Sequence, residues 1–435
     1  MNVQQNEIRD DSLIYQADLP VTQFLENCRG KSIFIYSANL EGIGLAKRLT
    51  ALGLNFSYFI DSRKYRASKK QNFDVKTPEA FWGDLDVENT ILINATKDRL
   101  LKKQITTKAE EHGFKRGRNF FIPTDLCSFF PTIEISGKCN LVCATCDMGL
   151  PGANKGRGHM SAETFKKTLS KLCSEIPFVN SIALYTWGEP LLNPEIAEIV
   201  KICNEHGVAC EISTNLEYQK YLEEFIAAGP DQIVAPCAGT LARYERGRTG
   251  GTWEGYLRGL KLIKEYMEKY DKDINVRIMY HLYNDNIDRD YDEVKKIAEE
   301  LGFNFIPILA HVFPGRVLQY ALAGVPLPKT MADAQNNLVF DIEEQLSFSR
   351  RLVDKPCHII KAFPTISWDG RVLHCCNMQG PYVRGRFLET PLEDFINLRN
   401  KSRFCTSCMN EGVHRYFDTN VKLEGETGFR KIVRI

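Results

Sequence analysis

Thr132-Ile133-Glu134-Ile135-Ser136 runs directly towards Cys139-Asn-Leu-Val-Cys143-Ala-Thr-Cys146. The first five residues read as a β-strand. The loop that follows carries three thiols with the spacing C-x3-C-x2-C. Three thiolates on one short loop can each hold one iron of a cubane iron–sulfur cluster, which leaves the fourth iron open. An open iron can take a substrate or cosubstrate, and a closed four-cysteine cage cannot. A structural zinc site borrowing a distant ligand is the alternative, but zinc cages are built from paired C-x2-4-C elements and no second pair stands close by.

Working outward, residues 127–315 repeat a strand-then-helix unit. The candidate strands are Thr132–Ser136, Ser181–Tyr185, Ala209–Ser213, Gln232–Pro236, Asn275–Tyr280 and Phe303–Ala310, with helical patterns such as Ala162–Cys173, Pro194–His206 and Trp253–Lys269 between them. Six such units predict an α/β fold with a parallel, curved sheet. Sheets of this kind place their chemistry at the C-terminal ends of the strands.

Three further segments stand at those ends. Tyr185-Thr-Trp187-Gly188-Glu189-Pro190 follows the second strand, Ser213-Thr214-Asn215 ends the third, and Tyr244-Glu-Arg-Gly-Arg248-Thr-Gly-Gly251 follows the fourth. Together with the three cysteines they resemble the radical SAM enzymes. The resemblance implies a partial (β/α)6 TIM-like barrel and a [4Fe-4S] cluster on Cys139, Cys143 and Cys146. It also implies S-adenosylmethionine on the open iron, cleaved to a 5′-deoxyadenosyl radical that abstracts hydrogen. Gly188, Glu189 and Pro190 match the segment that holds the methionine amino group, Ser213 and Asn215 the ribose contact, and Arg248 the arginine that pairs with the methionine carboxylate. A guanidinium suits that task because it binds a carboxylate through two parallel hydrogen bonds. Two positions depart from the family pattern: Trp187 replaces a glycine, and Thr145 stands where an aromatic residue near the adenine is common.

Near the C-terminus a second group appears. Cys357 and Cys375 flank the hairpin-like Ile366-Ser-Trp-Asp369-Gly370-Arg-Val-Leu, and Cys405-Thr-Ser-Cys408 follows thirty residues after Cys375. An Asp-Gly turn between two short strands brings Cys375 back towards Cys357, and four thiolates can close a full cage. This region resembles the SPASM and twitch extensions of radical SAM enzymes. With no cysteine after Cys408, the resemblance favours the twitch-like form with one auxiliary [4Fe-4S] cluster on Cys357, Cys375, Cys405 and Cys408. Cys376 can exchange roles with Cys375, and structural zinc is the other reading of the set. The remaining cysteines (Cys28, Cys127, Cys173, Cys203, Cys210 and Cys237) sit singly, and a small buried apolar residue is the simplest reading for them. Cys237, at the end of the fourth strand, is also a candidate hydrogen donor to a substrate radical.

Residues 1–126 follow a β-helix-β rhythm with strands at Ser32–Tyr36, Phe56–Asp61 and Thr90–Asn94. Gly42-Ile43-Gly44 and Asp61 resemble a dinucleotide fingerprint, but Lys47 replaces the third glycine and Glu41 adds an anion. A Rossmann-like domain that orients a substrate or partner is the favoured reading. The organisation expected is thus 1–126 Rossmann-like, 127–315 barrel, 316–350 connecting segment, and 351–435 a small iron–sulfur domain.

Composition bounds the function classes. The chain has 435 residues, 26% charged, with 56 Lys+Arg against 55 Asp+Glu. That balance argues against a nucleic-acid partner. No apolar run approaches the roughly 18 residues of a membrane span, and the opening MNVQQNEIRDD is no signal peptide, so a cytoplasmic chain is expected. The reaction expected is oxidation of a sugar-like or other polar small molecule, with the auxiliary cluster as electron acceptor and a flavodoxin- or ferredoxin-type donor. Modification of a peptide or protein side chain, epimerisation of a sugar, and a non-catalytic iron–sulfur scaffold are the competing readings.

Overall fold

A computed structural model describes residues 21–62, 69–70, 73–83, 85–126, 129–176, 178–418, 421–424 and 431–434. The polar opening segment and Cys127 lie outside these. Among the described residues, no helix is long and apolar enough to cross a membrane.

The first sheet holds six strands: β1 (Ser32–Tyr36), β2 (Phe56–Ile60), β3 (Lys69–Lys70), β4 (Phe73–Lys76), β5 (Thr90–Asn94) and β6 (Phe120–Phe121). Their order is β3-β4-β2-β1-β5-β6, parallel except for β3. β5 is buried along its whole length, as a central parallel strand covered on both faces must be.

The second sheet carries the barrel. β7 (Thr132–Ile133), β8 (Ser181–Ala183), β9 (Ala209–Ser213), β10 (Gln232–Cys237), β11 (Asn275–Leu282) and β12 (Asn304–Leu309) pair in parallel in sequence order. This is the expected partial barrel. The first strand is shorter than its sequence suggests, because the chain turns after Ile133 and Ser136 keeps only an isolated bridge to His159.

β13 (Thr365–Ile366), β14 (Arg371–Leu373) and β15 (Tyr382–Arg386) continue the same sheet. β13 runs parallel to β7, and β13–β14 is the expected Asp-Gly hairpin. The cysteine-rich C-terminal segment is therefore joined to the barrel edge, where the Thr132 and Glu134 amides donate to the Pro364 and Ile366 carbonyls at 3.1 and 2.8 Å. Pairing of this kind satisfies backbone groups that an open edge leaves exposed. Between barrel and hairpin lie three short helices, Pro314–Ala323, Lys329–Gln335 and Ile342–Ser349. Their apolar faces share a core with Met378, Val413 and Tyr416.

The N-terminal unit docks beneath the barrel. Helix Leu40–Ala51 is capped by Asn39, whose side chain accepts the Gly42 amide, and it lies against the starts of β8 and β9. A Cβ on Gly44 would sit 2.3 Å from the Asn180 carbonyl oxygen, so glycine permits the close approach. Lys47 and Arg48 reach the same surface, bonding the Asn204 side chain at 2.8 Å and the His206 carbonyl at 3.0 Å. Asn180 and Asp231 immediately precede β8 and β10. The contact therefore lies at the N-terminal ends of the strands, opposite the loops that carry the three-cysteine motif. The fingerprint-like residues are also spoken for: Asp61 accepts the Ala38 amide at 3.1 Å, and Asn39 Nδ2 donates to the Ala95 carbonyl at 2.8 Å.

Candidate active site

Hydrogen bonds between strand-end loops shape the three-cysteine loop. Asn154 clamps Cys139, accepting its amide at 3.0 Å and donating to its carbonyl at 2.9 Å, while the Val142 amide reaches the Thr249 carbonyl at 2.9 Å. Buried Glu134 accepts the Trp187 and Gly188 amides at 3.2 and 3.3 Å. A Cβ on Gly188 would fall 1.9 Å from the Ser136 carbonyl oxygen, so this position excludes any side chain. Glu189 is buried and joins two loops, accepting the amides of Asn215 at 2.8 Å and Leu191 at 3.0 Å. Burial raises its pKa while those bonds act against the rise. Pro190 opens a 3-10 turn under the same loop. Asn215 Nδ2 donates to Asn140 at 2.9 Å and stands 4.0 Å from Cys139 Sγ.

Arg248 lies across from this loop. One Nη donates to His281 Nδ1 at 3.1 Å, the Cys143 thiol is a second neighbour, and its buried Nε has no partner. Burial opposes the guanidinium charge, but the Cys143 thiol and the Tyr244 and Tyr283 phenols more than offset it. Burial, followed by the Arg248 charge, pushes His281 down to about 3, so its neutral Nδ1 accepts from arginine. Tyr283 hydrogen-bonds Thr145 and borders Arg248, which brings an aromatic ring to the position whose own residue lacks one.

The donor set suits an iron–sulfur cluster with an amino-acid-bearing cosubstrate. Burial raises Cys139 and Cys146 to about 12, so binding a metal there displaces protons. Among the described residues, no three His, Cys, Asp or Glu side chains gather as a single ion requires. A cubane distributes its thiolates over separate irons. The unpartnered Arg248 Nε beside Cys143 is a buried cationic donor that a carboxylate would satisfy.

Inside the barrel a polar chain runs from the loop after β8 across the four strands β9 to β12. Tyr185 Oη donates to Glu211 at 2.5 Å, Gln232 donates to the same carboxylate, Asn275 donates to Gln232 at 2.5 Å, and Asn304 to Asn275 at 2.8 Å. On β11, Val276, Ile278, Tyr280 and Leu282 are buried, whereas Asn275, Arg277, Met279 and His281 alternate with them and are half-buried. The second set faces the lumen. Ser213 ends β9 one layer above Glu211, level with Arg277 through Val234. Cys237 does not join this group. It is fully buried on the helix-facing side of β10, its thiol donating to the Gly239 carbonyl at 3.2 Å beside Tyr256.

The second cysteine group converges. Burial and the neighbouring Cys375 raise Cys357, and burial with Cys375, Cys357 and Cys405 raises Cys408. Cys405 and Cys408 share one face of helix Arg403–Asn410. The Cys376 thiol hydrogen-bonds Cys375 and lowers its pKa, and the Asn377 amide also donates to Cys375, at 3.4 Å. Cys376 Sγ lies 3.6 Å from Asn377 Oδ1. Sequence reasoning missed Glu134, Tyr185, Glu211, Arg277, His281 and Tyr283 as site residues. The period-two alternation of β11 was the available signal for two of them, Arg277 and His281.

Residues 133–301 match the model of the radical SAM superfamily. A curated relative, the tungsten-containing aldehyde ferredoxin oxidoreductase cofactor-modifying protein of Pyrococcus furiosus, is 23% identical over 290 residues, covering 62% of this chain and 78% of its own. Among solved structures, BtrN in complex with AdoMet and 2-DOIA is 17% identical with a TM-score of 0.38, covering 66% of this chain and 88% of its own. Native anSMEcpe with bound AdoMet is 15% identical at 0.40, covering 67% and 83%. Streptococcus suis SuiB bound to precursor peptide SuiA is 14% identical at 0.39, covering 72% and 74%. Likeness at these TM-scores fixes neither substrate nor reaction. The radical SAM match over residues 133–301 implies a [4Fe-4S] cluster and S-adenosylmethionine.

Proposed function

We propose that this chain is a radical SAM oxidoreductase that dehydrogenates a polar small molecule, a sugar or sugar-derived metabolite. The observation that carries this reading is the junction of the second cysteine group with the mouth of the lumen: Leu373, two residues before Cys375, packs with Met148 and Trp187 against Cys139 and Cys146. An auxiliary [4Fe-4S] cluster on Cys357, Cys375, Cys405 and Cys408 would lie beside a substrate in that lumen, within reach of an electron. Cys139, Cys143 and Cys146 are assigned to the first cluster. With S-adenosylmethionine it supplies, on one-electron reduction by a flavodoxin- or ferredoxin-type donor, the radical that removes a substrate hydrogen atom.

The chain's own residues then have distinct tasks. Arg248 holds the methionine carboxylate, with neutral His281 fixing one edge of its guanidinium. Gly188, Glu189 and Pro190 form the wall for the methionine amino group, and Ser213 and Asn215 face the ribose. Tyr185, Glu211 and Arg277 hold the substrate's polar groups. Glu211 accepts the departing proton through Tyr185 Oη. Cys237 faces the helix layer, so the reading that needs it as a hydrogen donor gains no support. We assign residues 1–126, 127–315, 316–350 and 351–435 as Rossmann-like support, barrel, connector and auxiliary-cluster segment.

The test is anaerobic incubation of reconstituted protein with dithionite, S-adenosylmethionine and a panel of sugars, aminocyclitols and peptides. A small-molecule product lighter by two hydrogen atoms, formed in equal amount with 5′-deoxyadenosine, supports the proposal. An isobaric epimer or a modified peptide would replace it.

A further inference from the structure

Arg399 is buried, at 5% exposure, yet among the described residues it has no carboxylate partner. It lies on helix Leu392–Asn400. Its Nε donates to the His374 carbonyl at 2.8 Å, one residue before Cys375, and its guanidinium sits over the Phe363 ring at 4.9 Å. These two contacts fix the cation at the second cysteine group. Cys375 and Cys376 follow the His374 carbonyl directly in the chain, and the helix Arg403–Asn410 that carries Cys405 and Cys408 begins four residues after Arg399. A buried guanidinium without a counter-charge is costly. Several thiols around one such cation make sense if they carry negative charge as ligands.

We propose that Arg399 is the built-in counter-charge of the auxiliary cluster and biases it towards its reduced state. The inference rests on the assignment of that cluster to Cys357, Cys375, Cys405 and Cys408. A cubane with four thiolates is anionic and gains a further negative charge when it takes up one electron. Net charge, hydrogen bonding and solvent exposure set the potential of such a cluster. A fixed, dry cation beside the thiolates stabilises the more negative state and raises the potential. That is the direction an electron acceptor needs. The electron comes from the substrate radical in the proposed dehydrogenation, and the proton lost with it goes to Glu211. Arg399 touches neither substrate nor cosubstrate, so it acts as a tuning residue rather than a catalytic one.

The experiment is a redox titration, followed by electron paramagnetic resonance, of the anaerobically reconstituted full chain and of Arg399→Gln and Arg399→Lys. Addition of S-adenosylmethionine identifies the first cluster by the signal that changes. In Arg399→Gln, the midpoint of the signal insensitive to S-adenosylmethionine is expected to fall while that of the other signal stays put. Arg399→Lys, which keeps the charge, is expected to restore much of the shift. Unchanged midpoints in Arg399→Gln would overturn the proposal. So would loss of the second cluster from both variants, which would make Arg399 a packing residue. Wild-type protein holding only about four irons rather than about eight would instead defeat the two-cluster assignment itself.

Discussion

Lys47 Nζ lies 2.5 Å from Asp231 Oδ1, and the carboxylate is fully buried at the base of the barrel. The other oxygen of Asp231 accepts the Cys210 amide at 2.9 Å. One lysine from the N-terminal unit therefore neutralises a charge that the barrel has placed beneath its own sheet. Breaking a buried pair from one side leaves the other charge unsolvated. Lys47→Met is expected to cost about 3–5 kcal/mol, read as a lower urea midpoint. Adding Asp231→Asn should recover part of the loss, because the amide oxygen can still accept from Cys210. A midpoint unchanged in Lys47→Met would show that the docking contributes nothing to stability.

Arg248→Met tests the carboxylate assignment without touching a cysteine. Hydrogen bonds to charged groups are worth about 1.5–3 kcal/mol, so S-adenosylmethionine affinity should fall by roughly 10- to 150-fold, with the iron content unchanged. Arg248→Lys should not restore it, since an ammonium cannot make the paired contact. Equal affinity in wild type and Arg248→Met, by equilibrium dialysis under nitrogen, would remove Arg248 from the site.

The second cysteine group makes a sharper distinction. We assign Cys375 with Cys357, Cys405 and Cys408: its Sγ accepts the Asn377 amide at 3.4 Å, whereas Cys376 Sγ lies 3.6 Å from Asn377 Oδ1. Cys375→Ala should lose about four of roughly eight irons, and Cys376→Ala should keep them all. The reverse outcome would exchange the two assignments.

Acid should weaken the fold through His311. Its ring packs beside Tyr416 and Phe417 at 5.5 and 5.1 Å, and burial pushes its pKa down to about 4. An unfolded histidine titrates near about 6.5. The unfolded chain therefore takes up the proton first as pH falls. The stability is whole above about pH 6.5 and is lost progressively down to about pH 4, by at most about 1.4 kcal/mol per pH unit. His311→Gln should flatten urea midpoints across that window. Parallel profiles for the two proteins would contradict the burial argument.

Much of the barrel was legible because its signals are local. Ala209–Ser213 and Trp253–Lys269 form as their patterns predict, and the three-cysteine loop carries its donors within eight residues. What escaped depends on side-chain direction or on distant packing. Cys237 stands at a strand end, but Pro236 takes the half-buried position that faces the lumen, so parity turns the thiol towards the helices. Arg399 lies in an ordinary amphipathic helix, and only the folded chain brings it to the cysteines. Gly42 and Gly44 resemble a phosphate-binding turn because close backbone approach needs glycine in either setting. Here Gly44 lets the helix meet the Asn180 carbonyl.

The central claim is that Cys139, Cys143 and Cys146 hold a cluster that cleaves S-adenosylmethionine. Quantifying 5′-deoxyadenosine from anaerobically reconstituted, dithionite-reduced protein tests it most directly. Wild type is expected to form it, and a variant with all three cysteines replaced by alanine is expected to form none. Absence of the nucleoside from wild type, or equal formation by the alanine variant, would contradict the account.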